Sequence, residues 1–244
     1  MSLEFALRLQ SGIFNNFAVE VLHIQPAQLG LVQGIREVPG LLTAPLAMAA
    51  GYFREDVWAG ICILIAAAGI FSYSLTTTFG MLIVATLILS IGFHLFYPAQ
   101  SSIIMKSQIP AERATKMGLL NSGAAAASLA SFFIVIAVTR YTAKPNYSAL
   151  HAMAAVFALV GGLLVMMRRF QSSGTTRRKM EFNPRYMSYY ILTFLGGARR
   201  HVTMTFAGFL LVQVHHTPVG TMVLLSALSS LLSIFTRPII GRVI

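Results

Sequence analysis

Two adjacent charges, Arg36 and Glu37, stand inside an otherwise apolar run from Leu29 to Tyr52. The run is long enough to cross a bilayer, and the pair lies roughly 12 Å into it at 1.5 Å per helical residue. A charge at the bilayer centre costs about 2.5–3.5 kcal/mol on insertion scales, so such residues face a protein interior or a watery cavity. An arginine in that position offers a planar fork to a carboxylate or phosphate. A glutamate beside it can take up and release a coupling proton. The competing reading is a structural ion pair with a neighbouring helix.

Other polar residues inside apolar segments extend the set. Arg199 and Arg200 sit midway along a later run, about 100° apart on a helix, so only one of them faces a narrow cavity squarely. Arg200 with Arg36 would suit an anionic solute. His94, in Gly92-Phe93-His94-Leu95-Phe96, has the titration range for a proton relay, or joins two helices by a hydrogen bond. Asn15 and Asn16 bind a polar solute or hold helices together. Glu20 reads as an interfacial carboxylate, and His23, His151, His215 and His216 as solvated groups near the segment ends. There is no His-Glu-x-x-His, no phosphate-cradling Gly-rich loop and no Gly-x-Ser-x-Gly. With Cys62 as the single cysteine, the sequence points to no enzyme, no cofactor and no metal site.

The elements that must position these residues are apolar segments. Hydrophobic residues make up 56% of 244 positions and charged residues 10%, against about a quarter charged in a soluble domain. Eight segments follow: Leu3–His23, Leu29–Tyr52, Trp58–Leu75, Phe79–Ser102, Thr115–Val138, Ala149–Met167, Tyr186–Val214 and Val219–Thr236. They are uniformly apolar without period-2 alternation, which favours helices over barrel strands. The expected fold is an all-α polytopic membrane protein of about eight transmembrane helices. The expected domains are a six-helix bundle over 1–167, a basic cytoplasmic linker over 168–185, and two helices of a second bundle over 186–244.

Net charge is +11, and its placement explains it. Loops on one side carry Arg54, Lys106, Arg113, Lys116, the cluster from Arg168 to Arg185, Arg237 and Arg242; loops on the other carry only Arg140 and Lys144. That asymmetry puts the N-terminus in the cytoplasm of a cell, or inner, membrane. The basic cluster touches anionic headgroups rather than nucleic acid. An internal repeat points the same way as the loop plan. Shifted by 192 positions, Arg8 meets Arg200, Phe14 meets Phe206, Phe17 meets Phe209, His23 meets His215 and Pro26 meets Pro218. The same shift lays Arg36 and Glu37 on Leu228 and Ser229, so the charged pair belongs to the first half alone. Parallel repeats of this kind place a site between two halves.

Six segments, a long basic loop and further segments, with the small-residue end Ala49-Ala50-Gly51-Tyr52-Phe53-Arg54 and its echo Arg237-Pro238-Ile239-Ile240-Gly241-Arg242, resemble the major facilitator superfamily. Gly51 fits that family's loop between its second and third helices, whereas Arg54-Glu55-Asp56 departs from its acid-then-basic order. The glycine-proline signature of its drug antiporters is absent from the fifth segment, where Gly118 to Ala127 supply small residues. The resemblance implies a secondary transporter that moves a small solute, here an anionic one, by alternating access, with a coupling proton or ion. It also implies twelve helices, so the chain reads as a fragment truncated after the eighth, ending in a turn at Gly241–Ile244. A transporter-like sensor or scaffold, or an inactive fragment, is the alternative.

Overall fold

In the computed structural model the described residues are 1–41, 43, 54–107, 113–141, 145–167 and 184–243. They are helical throughout: α1 (Ser2–Glu20), α2 (Pro26–Leu41), α3 (Glu55–Ser74), α4 (Phe79–Ser107), α5 (Arg113–Tyr141), α6 (Tyr147–Met167), α7 (Met187–Gln213) and α8 (Val219–Val243), with a short 3-10 turn at Pro184–Tyr186. Each helix falls on one expected segment. The end of the second segment, 44–53, and most of the basic stretch 168–185 lie outside the described residues.

Among the described residues, four helices carry stretches long and apolar enough to cross a membrane: Glu55–Ser74, Phe79–Ile103, Leu120–Tyr141 and Tyr147–Met167. In α8 the described apolar part is Val219–Leu232. α1, α2 and α7 carry the polar residues singled out above. α6 shows how a lipid-facing helix is built. It buries Leu150, Ala154, Ala158, Gly161 and Gly162 while exposing Val156, Phe157, Leu159, Val160, Leu163 and Leu164. In water so large an apolar face would be an aggregation hazard; against lipid tails it is the expected surface.

Small residues set the closest packing. α3 lies against α4 and α6, α1 against α5 and α6, and α2 against α4. A Cβ added at Gly69 would stand 2.3 Å from the Leu89 backbone nitrogen, and one at Gly92 would stand 2.4 Å from that of Ala66. The α3 and α4 backbones are therefore in contact at two levels, as membrane helices are where glycine allows it. Around them Leu9, Ile13, Ile70, Leu82 and Val135 form a core closed to solvent.

The α1–α2 corner is built again between α7 and α8. His23 and His216 both take left-handed backbone, at φ 51° and 48°. Ile24 N–H donates to the Ala18 carbonyl and Thr217 N–H to that of Leu211. The register of this duplicated corner is 193 residues, which corrects the shift of 192 by one. His23 corresponds to His216, Val21 to Val214, and the start of α2 at Pro26 to the start of α8 at Val219. Coincident phenylalanines and prolines fixed the sequence alignment, whereas backbone geometry fixes the structural one. The corrected shift lays Arg36 and Glu37 on Ser229 and Ser230, and the second corner still lacks the charges.

Two other expectations are corrected. α8 does not stop at Thr236 but runs through Pro238 and Gly241 to Val243, since a proline removes one ladder hydrogen bond without ending every helix. His151 is not solvated. It is closed to solvent, stacked on Tyr73 at 5.3 Å between ring centroids, with its Nδ1 2.8 Å from the Tyr147 carbonyl.

Candidate functional site

The charged pair of α2 faces α4. Pro39 has no N–H to give the helix, and α2 nevertheless continues past it to Leu41. One turn before, the Arg36 carbonyl accepts the hydroxyl of Ser90 from α4. Gly40 is where α4 comes nearest: a Cβ there would lie 2.7 Å from His94 Nε2. This is the physical reason for glycine at that position. The close approach brings His94 Nε2 to 3.6 Å from Glu37 Oε2. The other ring nitrogen, Nδ1, lies 2.9 Å from Ser90 Oγ. Ser90 thus fixes the α2 backbone and orients the imidazole at once.

Arg36 is held differently. Its guanidinium lies over the Phe93 ring, 5.2 Å from the centroid, in cation–π contact. One terminal nitrogen donates to Gln33 Oε1 at a long 3.3 Å. Its Nε is buried with no hydrogen-bond partner among the described residues. A buried N–H with no acceptor is costly unless something else receives it.

A second polar group lies on α1 and the next turn of α4. Arg8 Nε donates to Glu4 Oε1 at 2.9 Å, and the Tyr97 hydroxyl donates to Glu4 Oε2 at 3.2 Å. Tyr97 packs edge-on against Phe93, 6.4 Å between ring centroids, and the Arg36 guanidinium lies over that same ring. Gln33, Arg36 and Glu37 of α2, Ser90, His94 and Tyr97 of α4, and Glu4 and Arg8 of α1 therefore make one polar wall.

The remaining expected residues fall elsewhere. Asn16 is closed to solvent; its Nδ2 donates to Glu20 Oε1 at 2.8 Å and to the Thr217 carbonyl at 3.0 Å. It joins helices. Asn15 abuts α7, where a Cβ on Gly208 would lie 2.6 Å from its Nδ2. Glu20 is exposed as expected and also accepts the Tyr147 hydroxyl at 2.7 Å. Arg199 and Arg200 belong to α7, but their side chains lie outside the described residues.

A family model described as the Major Facilitator Superfamily matches residues 2–244. The chain belongs to that superfamily. Its members are membrane transporters, and the long apolar helices are those of an integral membrane protein. Among solved structures, a bacterial homologue of the human lysosomal transporter Spinster, in an inward-facing and occupied conformation, is similar with a TM-score of 0.70 and 16% identity. The match covers 94% of this chain and 57% of that one. The inward-facing and unoccupied form gives 0.66 and 14%, over 91% and 55%. At these identities the likeness establishes the fold, and the chain spans less than three-fifths of either relative. A comparison with curated protein sequences finds no significant match.

Within this superfamily fold, sequence reasoning missed Gln33, Ser90, Tyr97 and Glu4 as parts of the wall. A signal existed for three of them. Ser90 and His94 stand at i, i+4 on one face, and so do Glu4 and Arg8, while Tyr97 follows His94 at i+3. Serine, tyrosine and glutamine carry no charge, so a search keyed to intramembrane ions passes over them.

Proposed function

We propose that the protein is a secondary transporter, moving a small anionic solute by alternating access and driven by a coupling proton. The observation that carries this reading is the α2–α4 wall: Arg36, with its buried unused donor, beside the Glu37–His94 pair. Arg36 receives the anion. Glu37 takes up the proton, with His94 across from it to share it. Neutralising Glu37 removes a negative charge beside Arg36 and strengthens its hold on an anion. Arg199 and Arg200 of α7 are further solute ligands in this reading, and Asn15 is a polar contact at the helix interface.

The domain plan follows: residues 1–167 as one bundle, 168–185 as a basic linker and 186–244 as the beginning of a second bundle. Charge asymmetry supports an inner-membrane location with the N-terminus in the cytoplasm. Contacts from α7 and α8 to α1, α2 and α5 include Asn16 with Thr217, Gly30 with Phe206 and Gly220 with Thr139. Among the described residues these contacts lie toward the end where α1 and α7 finish, which on this orientation is the outer end.

A thermal-stability screen of the purified protein tests the reading. Carboxylates or phosphates should raise the melting temperature, and neutral or cationic solutes of similar size should not. Stabilisation by cations alone would overturn the anion assignment, and stabilisation by no solute would favour a non-transporting scaffold.

A further inference from the structure

At the end of the molecule remote from Arg36, one buried atom stands out. Asn16 is closed to solvent, and its Oδ1 has no hydrogen-bond partner among the described residues. The other end of the same amide is fully engaged. Nδ2 donates to Glu20 Oε1 on its own helix and to the Thr217 carbonyl at the α7–α8 corner. Both partners are acceptors, so the amide must point this way while Glu20 is ionised. Oδ1 is left unsatisfied as a consequence, and a buried acceptor without a donor disfavours the state that contains it.

Glu20 is exposed and lines a cavity of about 420 Å³ between the end of α5, the start of α6 and the start of α8. Solvent protons therefore reach it from that end. The titratable or charged groups facing it are Tyr147 of α6, whose hydroxyl donates to Oε2, and Arg140 of α5, which lines the same cavity. The α8 start contributes the uncharged Thr221 and Val219. On α1, Glu20 is the titratable group at this end, and the corner histidines His23, His215 and His216 are exposed.

We infer that Asn16 and Glu20 form a proton-sensitive latch that ties α1 to the α7–α8 corner. When Glu20 is ionised, the Asn16 amide bridges it to Thr217 and holds this end closed. When a proton from the cavity binds Oε1, the new O–H becomes a donor. The amide then turns over, Oδ1 accepts that proton, and Nδ2 leaves the Thr217 carbonyl. The bond holding the corner is lost as Oδ1 is satisfied, and the freed Nδ2 hydrogens and the Thr217 carbonyl are taken up by water that enters as this end opens. Two hydrogen-bond arrangements of one amide thus correspond to a closed and a released end. The latch is independent of which solute the Arg36 wall takes.

Val223, closed to solvent where α8 meets Gly12 of α1, reports the opening. A cysteine placed there is labelled with a water-soluble maleimide in the reconstituted protein. Its labelling is normalised at each pH to that of the denatured protein, and the native Cys62 is buried. Labelling should rise at least severalfold as the pH is lowered from 7 to about 4, the range over which carboxylates take up protons. Glu20→Gln, which cannot titrate, should label at a rate that does not change with pH. Asn16→Ala should label fast at both pH values, and Tyr147→Phe, which removes one donor from the carboxylate, should shift the rise in labelling to higher pH. Labelling that is flat with pH in the unaltered protein, or that keeps its full pH dependence in Glu20→Gln, would overturn the latch. Neither readout involves solute, so failure here leaves the transport reading standing, and the converse also holds.

Discussion

Replacing Arg36 with alanine is expected to weaken binding of the anionic solute by roughly 30- to 3,000-fold while leaving the folded protein nearly as stable. Truncating one member of a buried charge pair costs about 2–5 kcal/mol, and each 1.4 kcal/mol is tenfold. The loss falls on binding because the Arg36 side chain does little structural work. Its hydrogen bond to Gln33 is long, at 3.3 Å, and the bond that ties α2 to α4 at this level uses the backbone carbonyl, which alanine keeps. Arg36→Lys should fall between, since lysine keeps the charge but loses the planar fork and the stacking over Phe93. Solute titrations followed by melting temperature, with the solute-free melting point as control, check both. A large fall in solute-free stability with unchanged affinity would make Arg36 a structural residue.

Glu37→Gln is expected to reduce proton-driven uptake to the background of empty vesicles while solute exchange continues. Glutamine has the shape of glutamate and can still hydrogen-bond across to His94, so the α2–α4 packing at Gly40 persists. It cannot give up a proton. In the present geometry Glu37 is placed against His94, at 3.6 Å, so its protonation acts on Arg36 through the local field. The Glu37 side chain is 38% exposed, so this field acts at short range and weakens with salt. Uptake with and without an imposed pH gradient, compared with counterflow, separates the two activities. Full proton-driven uptake by the Glu37→Gln protein would move the proton carrier elsewhere, with Glu4 the nearest carboxylate in the wall.

The helices were legible in the sequence because burial in lipid requires long apolar runs, and those survive in composition alone. The Arg36–Glu37 pair was legible for the complementary reason, that charge is expensive there. What brings the site together was not. Gly40 makes room for His94, and nothing within α2 says which helix will approach it. Ser90 meets Arg36 from 54 positions away, and Tyr97 meets Glu4 from 93. Such pairings are set by how helices cross, which period and propensity do not encode. His151 shows the same limit in reverse. Near a segment end it looks wet, but Tyr73 and Phe17 enclose it, and only tertiary packing supplies those rings. The repeat was visible in outline and displaced by one residue, since side-chain identities can match by chance while the left-handed histidines mark the corner itself.

The central claim is that solute and proton move together through the α2–α4 wall. Its most direct test is luminal pH in vesicles holding the unaltered protein, recorded as a stabilising anion is added outside with no initial pH gradient. Solute entry should shift luminal pH in a fixed ratio to the anion taken up, and the shift should disappear in Arg36→Ala along with uptake. Anion entry at full rate with luminal pH unchanged would contradict the account.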